Sequence, residues 1–174
     1  MYKLSGVVVT REQIRDMVSR LAERINFDYA GKELLLVGVL KGAMVFLSDL
    51  CREIEVPVVI DFIIASSYGV EVQTSGVVLL RKDIDMDIAG KHVLIVEDLI
   101  DTGVTLNYLK GLYESRKPAS LRFCAAFDKP SRRTADITPE YIGIALEDKF
   151  IVGYGLDYAN MYRNLPDVHF VAEE

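Results

Sequence analysis

Val93-Leu94-Ile95-Val96-Glu97-Asp98-Leu99-Ile100-Asp101-Thr102-Gly103-Val104-Thr105-Leu106 sets four apolar residues against two acids and adds a third acid at Asp101. The chain then breaks into hydroxyl-bearing residues around one glycine. An apolar run of strand length ending in charge reads as a strand buried on both faces, whose carboxyl end opens to solvent. In open parallel sheets, ligands bind beyond such ends. Asp101 to Thr105 is then the loop into a helix carrying Leu106, Leu109 and Leu112. Gly103 permits positive φ, Thr102 and Thr105 supply hydroxyls, and the backbone N–H groups lead into a helix N-terminus, a combination that can cradle a phosphate monoester. Neither Gly-Lys-Ser/Thr nor G-x-G-x-x-G occurs in the chain. A phosphate cradle beside carboxylates suits a sugar phosphate: the acids accept from ribose hydroxyls while the loop takes the phosphate.

The flanking pattern repeats the same logic. Thr10-Arg11-Glu12-Gln13 has the form of a capping box, and Ile14, Met17, Val18, Leu21 and Ile25 follow at helical spacing until Gly31. Glu33 to Leu40 is a mostly apolar run, Met44 to Ile54 a second helix, and Val56 to Ala65 another buried strand ending in Ser66-Ser67-Tyr68-Gly69. A polar segment through Gly76 precedes a short strand, Val77 to Arg81. His92 to Glu97, Leu121 to Phe127, Tyr141 to Leu146 and Phe150 to Tyr154 complete the strands. Strands without alternation, separated by helices, predict an α/β fold: a mostly parallel twisted sheet flanked by helices, in one domain spanning 1–174.

Composition narrows the function. A hydrophobic fraction of 51% with 26% charge describes a folded protein. The net charge of −6 opposes any general affinity for nucleic acid. No apolar run reaches the ~18 residues of a spanning helix, and the first residues lack the features of a signal peptide, so a cytoplasmic protein without membrane or nucleic-acid partners is expected. Cys51 and Cys124 lack CxxC spacing and are expected to be reduced, buried thiols.

Val93 to Leu106 resembles the PRPP-binding signature of type I phosphoribosyltransferases. More narrowly the chain resembles the hypoxanthine-guanine phosphoribosyltransferases, through Leu40-Lys41-Gly42, Ser66 to Gly69, Asp128-Lys129-Pro130-Ser131-Arg132-Arg133, and Asp148 to Arg163. The resemblance implies the type I phosphoribosyltransferase fold, with a small hood formed by the terminal segments. It implies purine salvage: transfer of the phosphoribosyl group from PRPP to hypoxanthine or guanine, giving IMP or GMP and pyrophosphate. Mg2+ as cofactor and a homodimer or homotetramer come with it.

Carried over residue by residue, Glu97, Asp98, Asp101, Thr102, Gly103, Val104 and Thr105 bind the ribose phosphate, with Asp101 as the general base. Lys41, Gly42 and Arg163 contact pyrophosphate, and Leu40–Lys41 matches a peptide that is cis in the family, a match that leaves its state in the free chain open. Ser67 and Tyr68 belong to a lid. Lys129, Phe150, Ile151, Val152 and Asp157 form the purine pocket, where an ammonium that only donates favours a 6-oxo group over an amino group. Glu97, Asp98 and Asp157 are the implied metal contacts, and a cation is needed because an acidic pocket would repel PRPP. His92 and His169 match no motif and are read as structural. Where many relatives carry an acid between Tyr158 and Arg163, this chain has Ala159-Asn160-Met161. A nucleotide-sensing transcriptional regulator on the same fold is the alternative, disfavoured by the charge and the lack of a basic stripe. A receiver domain fits less well, because it places its paired acids after the first strand.

Overall fold

The computed structural model describes residues 3–67 and 78–172. Among these, a six-stranded sheet has the order β4-β3-β2-β5-β6-β7. Its strands are β2 (Leu34–Leu40), β3 (Val58–Ser67), β4 (Val78–Lys82), β5 (His92–Ile100), β6 (Ser120–Asp128) and β7 (Tyr141–Ala145). The strands run parallel except β4, which pairs antiparallel with β3 at the edge.

Helix α1 (Arg11–Asp28) starts at the expected capping box: Gln13 N donates to Thr10 Oγ1 at 3.3 Å, and Thr10 N donates to Gln13 Oε1 at 2.9 Å. Its buried face is Ile14, Met17, Val18, Leu21, Ala22 and Ile25, the stripe that a 3.6-residue period lays on one side. Helix α2 (Met44–Glu53) packs beside it, and α3 (Val104–Glu114) follows β5.

Strand alternation explains why the core runs look unpatterned in sequence. Leu34, Leu36, Leu94, Val96, Cys124 and Ala126 pack with α1 and α2, whereas Leu35, Val37, Val93, Ile95, Phe123 and Ala125 pack with Leu106, Leu109 and Tyr113 of α3. Side chains on opposite faces of a strand are both buried when helices cover both faces. Burial lifts the Cys124 thiol well above its ordinary value. Both cysteines are free, as expected, but Cys51 is only partly buried: it packs at the margin of the core face that Phe46, Leu47 and Leu50 of α2 fill.

Several features differ from the sequence reading. Helix α1 stops at Asp28, before Gly31. Strand β5 continues past Glu97 to Ile100, because Leu99 and Ile100 still pair with Phe127 and Asp128 of β6. A second sheet, in the order β1-β9-β8, joins β1 (Lys3–Val9) and β9 (Val168–Ala172) to β8 (Ile151–Val152). The two ends of the chain thus pair antiparallel as a hood, although only β8 had been read as a strand. His92 holds the starts of β5 and β6 together, its Nδ1 lying 2.8 Å from Ser120 Oγ. His169 lies in β9 opposite Val7 and Val152.

Candidate functional site

The carboxyl ends of β2, β5 and β6 gather the acids and bases singled out in the sequence. Asp98 Oδ1 accepts from Leu99 N at 2.7 Å, and its other oxygen faces the loop after β2. There Gly42 leaves no space: a Cβ at this position would stand 1.6 Å from Asp98 Oδ2. On the far side, a Cβ on Gly155 would stand 2.1 Å from the Gly42 carbonyl oxygen. The Lys41-Gly42 loop is therefore wedged between an acid of β5 and the turn after β8. The Leu40–Lys41 peptide is cis.

Arg163 closes this cluster from outside, with Nη1 donating to Gly155 O at 2.6 Å and Nη2 pairing with Asp157 Oδ1 at 2.6 Å. Asp157 Oδ2 accepts from Asn160 N at 2.8 Å. Asn160, within the Ala159-Asn160-Met161 stretch, also takes a hydrogen bond from Lys41 Nζ at 3.3 Å. That stretch thus lies beside the Lys41-Gly42 loop, and nothing in the linear pattern brings residue 160 to residue 41.

Glu97 and Asp98 are partly covered side chains with deeply placed carboxylates. Glu97 Oε2 is buried without a hydrogen-bond partner among the described residues. Burial first, and then the neighbouring Asp98 charge, raise the Glu97 carboxyl well above its ordinary value. Burial likewise pushes Asp98 up to about 6, against backbone hydrogen bonds and the Arg163 charge that lower it.

A testable consequence concerns stability. The folded protein holds the Asp98 proton more tightly than the unfolded chain does. This contribution is present below the ordinary value of 3.8 and is lost as pH rises to about 6. Asp28, Asp61 and Asp83 are shifted the other way, so their contributions fade only as pH falls through the acidic end. The ligand-free protein is expected to lose Tm between pH 4 and 6, and Asp98→Asn to flatten that slope. Thermal melts across this range check it, and identical slopes in both proteins would refute it.

The other half of the site is built by the loop after β5 and the turn after β6. Gly103 takes φ 81° at the N-cap of α3, a region that side chains adopt at a cost. The Thr102 carbonyl accepts from Thr134 N and Ala135 N at 3.0 and 3.1 Å, and Thr102 Oγ1 accepts from Val104 N at 3.4 Å. The first turn of α3, with Val104 and Thr105, supplies amides suited to a phosphate. Arg133 braces the turn from below, pairing with Asp128 and donating to Ile137 O at 2.8 Å.

Lys129 is 6% exposed. Its backbone N donates to Ile100 O at 2.9 Å and its Nζ to Lys149 O at 2.7 Å. Burial pulls the ammonium below its ordinary value, against the nearby charges of Asp101 and Asp148. Phe150 stands 52% exposed and meets Tyr158 edge to face, with centroids 5.7 Å apart, leaving a ring face open to a planar ligand. Ile151 and Val152 are buried in β8.

Asp101 is not alone. Arg132 Nε lies 2.5 Å from its Oδ1, and Arg132 Nη1 lies 3.2 Å from Asp148 Oδ1. Arg132 stood inside a motif but had no role assigned, since spacing alone does not reveal which way its side chain turns. Ser67 ends β3, while Tyr68 and the rest of the expected lid to Gly76 lie outside the described residues. Among the described residues no three His, Cys, Asp or Glu side chains converge as a ready metal cluster.

A phosphoribosyl transferase domain model matches residues 9–159. The hypoxanthine phosphoribosyltransferase of Salmonella typhimurium is 46% identical over 164 residues, covering 93% of this chain and 92% of the relative. The hypoxanthine-guanine phosphoribosyltransferase of Streptococcus pneumoniae is 40% identical over 171 residues, with 98% and 95% covered. A crystal structure of a hypoxanthine-guanine phosphoribosyltransferase from Bacillus anthracis superposes with TM-score 0.93 at 45% identity, covering 99% of this chain and 100% of the other.

Proposed function

We infer, because the chain belongs to the hypoxanthine-guanine phosphoribosyltransferase family, that it transfers the 5-phosphoribosyl group of PRPP to hypoxanthine or guanine in purine salvage. The observation that carries this reading is the buried Lys129 ammonium, tied by its own backbone to the strand end that bears the acids. An ammonium at that depth can serve an acceptor on a purine, and an O6 atom is such an acceptor.

In the proposed reaction a purine nitrogen lone pair bonds to C1′ as the bond from C1′ to pyrophosphate breaks. The leaving oxygen keeps the electron pair, and the proton on N7 of the base passes to Asp101. The first-turn amides of α3 hold the 5′-phosphate, Lys41 and the Gly42 amide face the pyrophosphate, and Phe150 stacks on the base. Turnover of PRPP with hypoxanthine, guanine, xanthine and adenine in parallel tests the reading. It fails if no 6-oxopurine is converted.

The donor set suits Mg2+. Glu97 Oε2 is buried and has no hydrogen-bond partner among the described residues, and Asp98 is adjacent; two hard oxygen donors fit a cation that takes its remaining ligands from substrate and water. Asp157 is held by Arg163 and the Asn160 N–H, which suits an outer contact. When bound, Mg2+ supplies charge neutralisation for the pyrophosphate. Excess EDTA is therefore expected to abolish turnover, and Glu97→Ala to weaken PRPP binding more than purine binding in titrations with each ligand. Full activity in EDTA would refute the cation assignment.

A cytoplasmic site of action and a homodimer or homotetramer complete the proposal. Met44 and Met161 are each about half exposed and would gain from burial against a second copy.

A further inference from the structure

Three side chains form a line that the reaction outlined above does not use in full. Asp148 pairs with Arg132 at 3.2 Å, and Arg132 pairs with Asp101 at 2.5 Å. Asp101 Oδ1 is buried, yet the Asp101 side chain as a whole keeps 43% of its surface exposed. The exposure thus belongs to the rest of the side chain, which leaves Oδ2 as the accessible oxygen. A carboxylate rotates freely unless one of its oxygens is held; here Arg132 Nε meets Asp101 Oδ1 as a close ion pair without hydrogen-bond geometry, while Nη1 of the same rigid guanidinium reaches Asp148, so one planar group spans the two carboxylates.

The backbone supports the same alignment. Lys129 N donates to the carbonyl of Ile100, the residue before Asp101, and Arg132 N donates to Lys129 O at 3.1 Å. Lys129 and Arg132 therefore flank one short turn, Pro130–Arg132, that is registered against the loop carrying Asp101. On a 6-oxopurine, O6 and N7 lie side by side on one edge. The same turn can thus set the donor for O6 and the orientation of the acceptor for the N7 proton.

We propose that Arg132, anchored by Asp148, is a positioning residue that fixes the rotation of Asp101 so that one carboxylate oxygen stays open to the purine proton. The proposal rests on the phosphoribosyl-transfer reading and adds a residue to it. Arg132 keeps its own protons throughout; the proton moves only from the purine to Asp101.

Arg132→Met is expected to lower kcat by roughly 10- to 100-fold, the scale of a misplaced catalytic group, with KM for PRPP little changed. Arg132→Lys should recover part of the loss, because one charge returns without the planar fork. In an Asp101→Asn background, Arg132→Met should cost nothing further in single-turnover assays with radiolabelled base. A more acidic purine such as 8-azahypoxanthine, which needs less help to lose its proton, should suffer less from Arg132→Met than hypoxanthine does. Asp148→Asn, which leaves Arg132 in place, should lower kcat in the same direction by a smaller factor.

An undiminished kcat in both Arg132→Met and Asp148→Asn would overturn the proposal. So would an equal loss on the Asp101→Asn background, since Arg132 would then act independently of Asp101. A wild type that converts no 6-oxopurine would instead overturn the reaction itself. Wild-type kcat in Asp101→Asn would remove Asp101 as the base, and Arg132 with it.

Discussion

Asp101→Asn is expected to lower kcat by roughly 10²–10⁴, the usual worth of a general base. The substitution keeps the shape of the side chain and removes its capacity to accept a proton, together with the charge that pairs with Arg132. Glu97, Asp98 and the first-turn amides of α3 do not depend on that capacity, so KM for PRPP should stay close to wild type. The split matters, because a substitution that disturbed the whole loop would raise KM along with the fall in kcat. Steady-state kinetics with PRPP and hypoxanthine each varied decide the outcome. An unchanged kcat would mean that the proton leaves the purine by another route.

Lys129→Met should remove selectivity along with rate. The stem keeps much of its length, and the charge that donates from a buried position is lost. Losing a charged hydrogen bond in such a place costs about 2–4 kcal/mol of transition-state stabilisation, roughly 30- to 1,000-fold in kcat/KM for hypoxanthine and guanine. Adenine presents an amino donor to the same ammonium, so donor faces donor in the wild type. Sites of this kind can reject the wrong analogue by ~10⁴ or more. With the ammonium gone, adenine loses its penalty and gains relative to the oxopurines. A four-base comparison of wild type and variant reads both effects. Intact oxopurine turnover in Lys129→Met would show that Lys129 does not read O6.

Much of this molecule can be read from the chain because its strongest signals are local. The Thr10 capping box, the apolar runs of β2, β3, β5 and β6, and the acid-rich end of β5 each rest on a few adjacent residues. The doubly covered sheet followed from runs without alternation. What escaped the reading depends on partners far apart in sequence. Strand β1 is interrupted by Gly6 and finds its ladder only in β9, from the opposite end of the chain, while β9 pairs with both β1 and β8. The extension of β5 through Ile100 needs β6 beside it. In the site, the same holds for Asn160 against Lys41 and for Arg132 against Asp101. Periodicity can place a residue on an element, but the direction of a long polar side chain is decided by what lies across the gap.

The column of Asp98, Gly42 and Gly155 bears on how such a chain can drift over generations. Loops at strand ends are ordinarily the permissive parts of a fold, where insertions and larger residues are absorbed by solvent. Here the loop after β2 and the turn after β8 press against one another and against a carboxylate, with less than a methyl group's room at either junction. A side chain added at Gly42 has nowhere to go except into the Asp98 carboxylate. Variation is therefore expected to fall on exposed helix flanks and not at Gly42 or Gly155. Close packing of this kind stands at the mouth of the sheet, where loops alone would have suggested freedom.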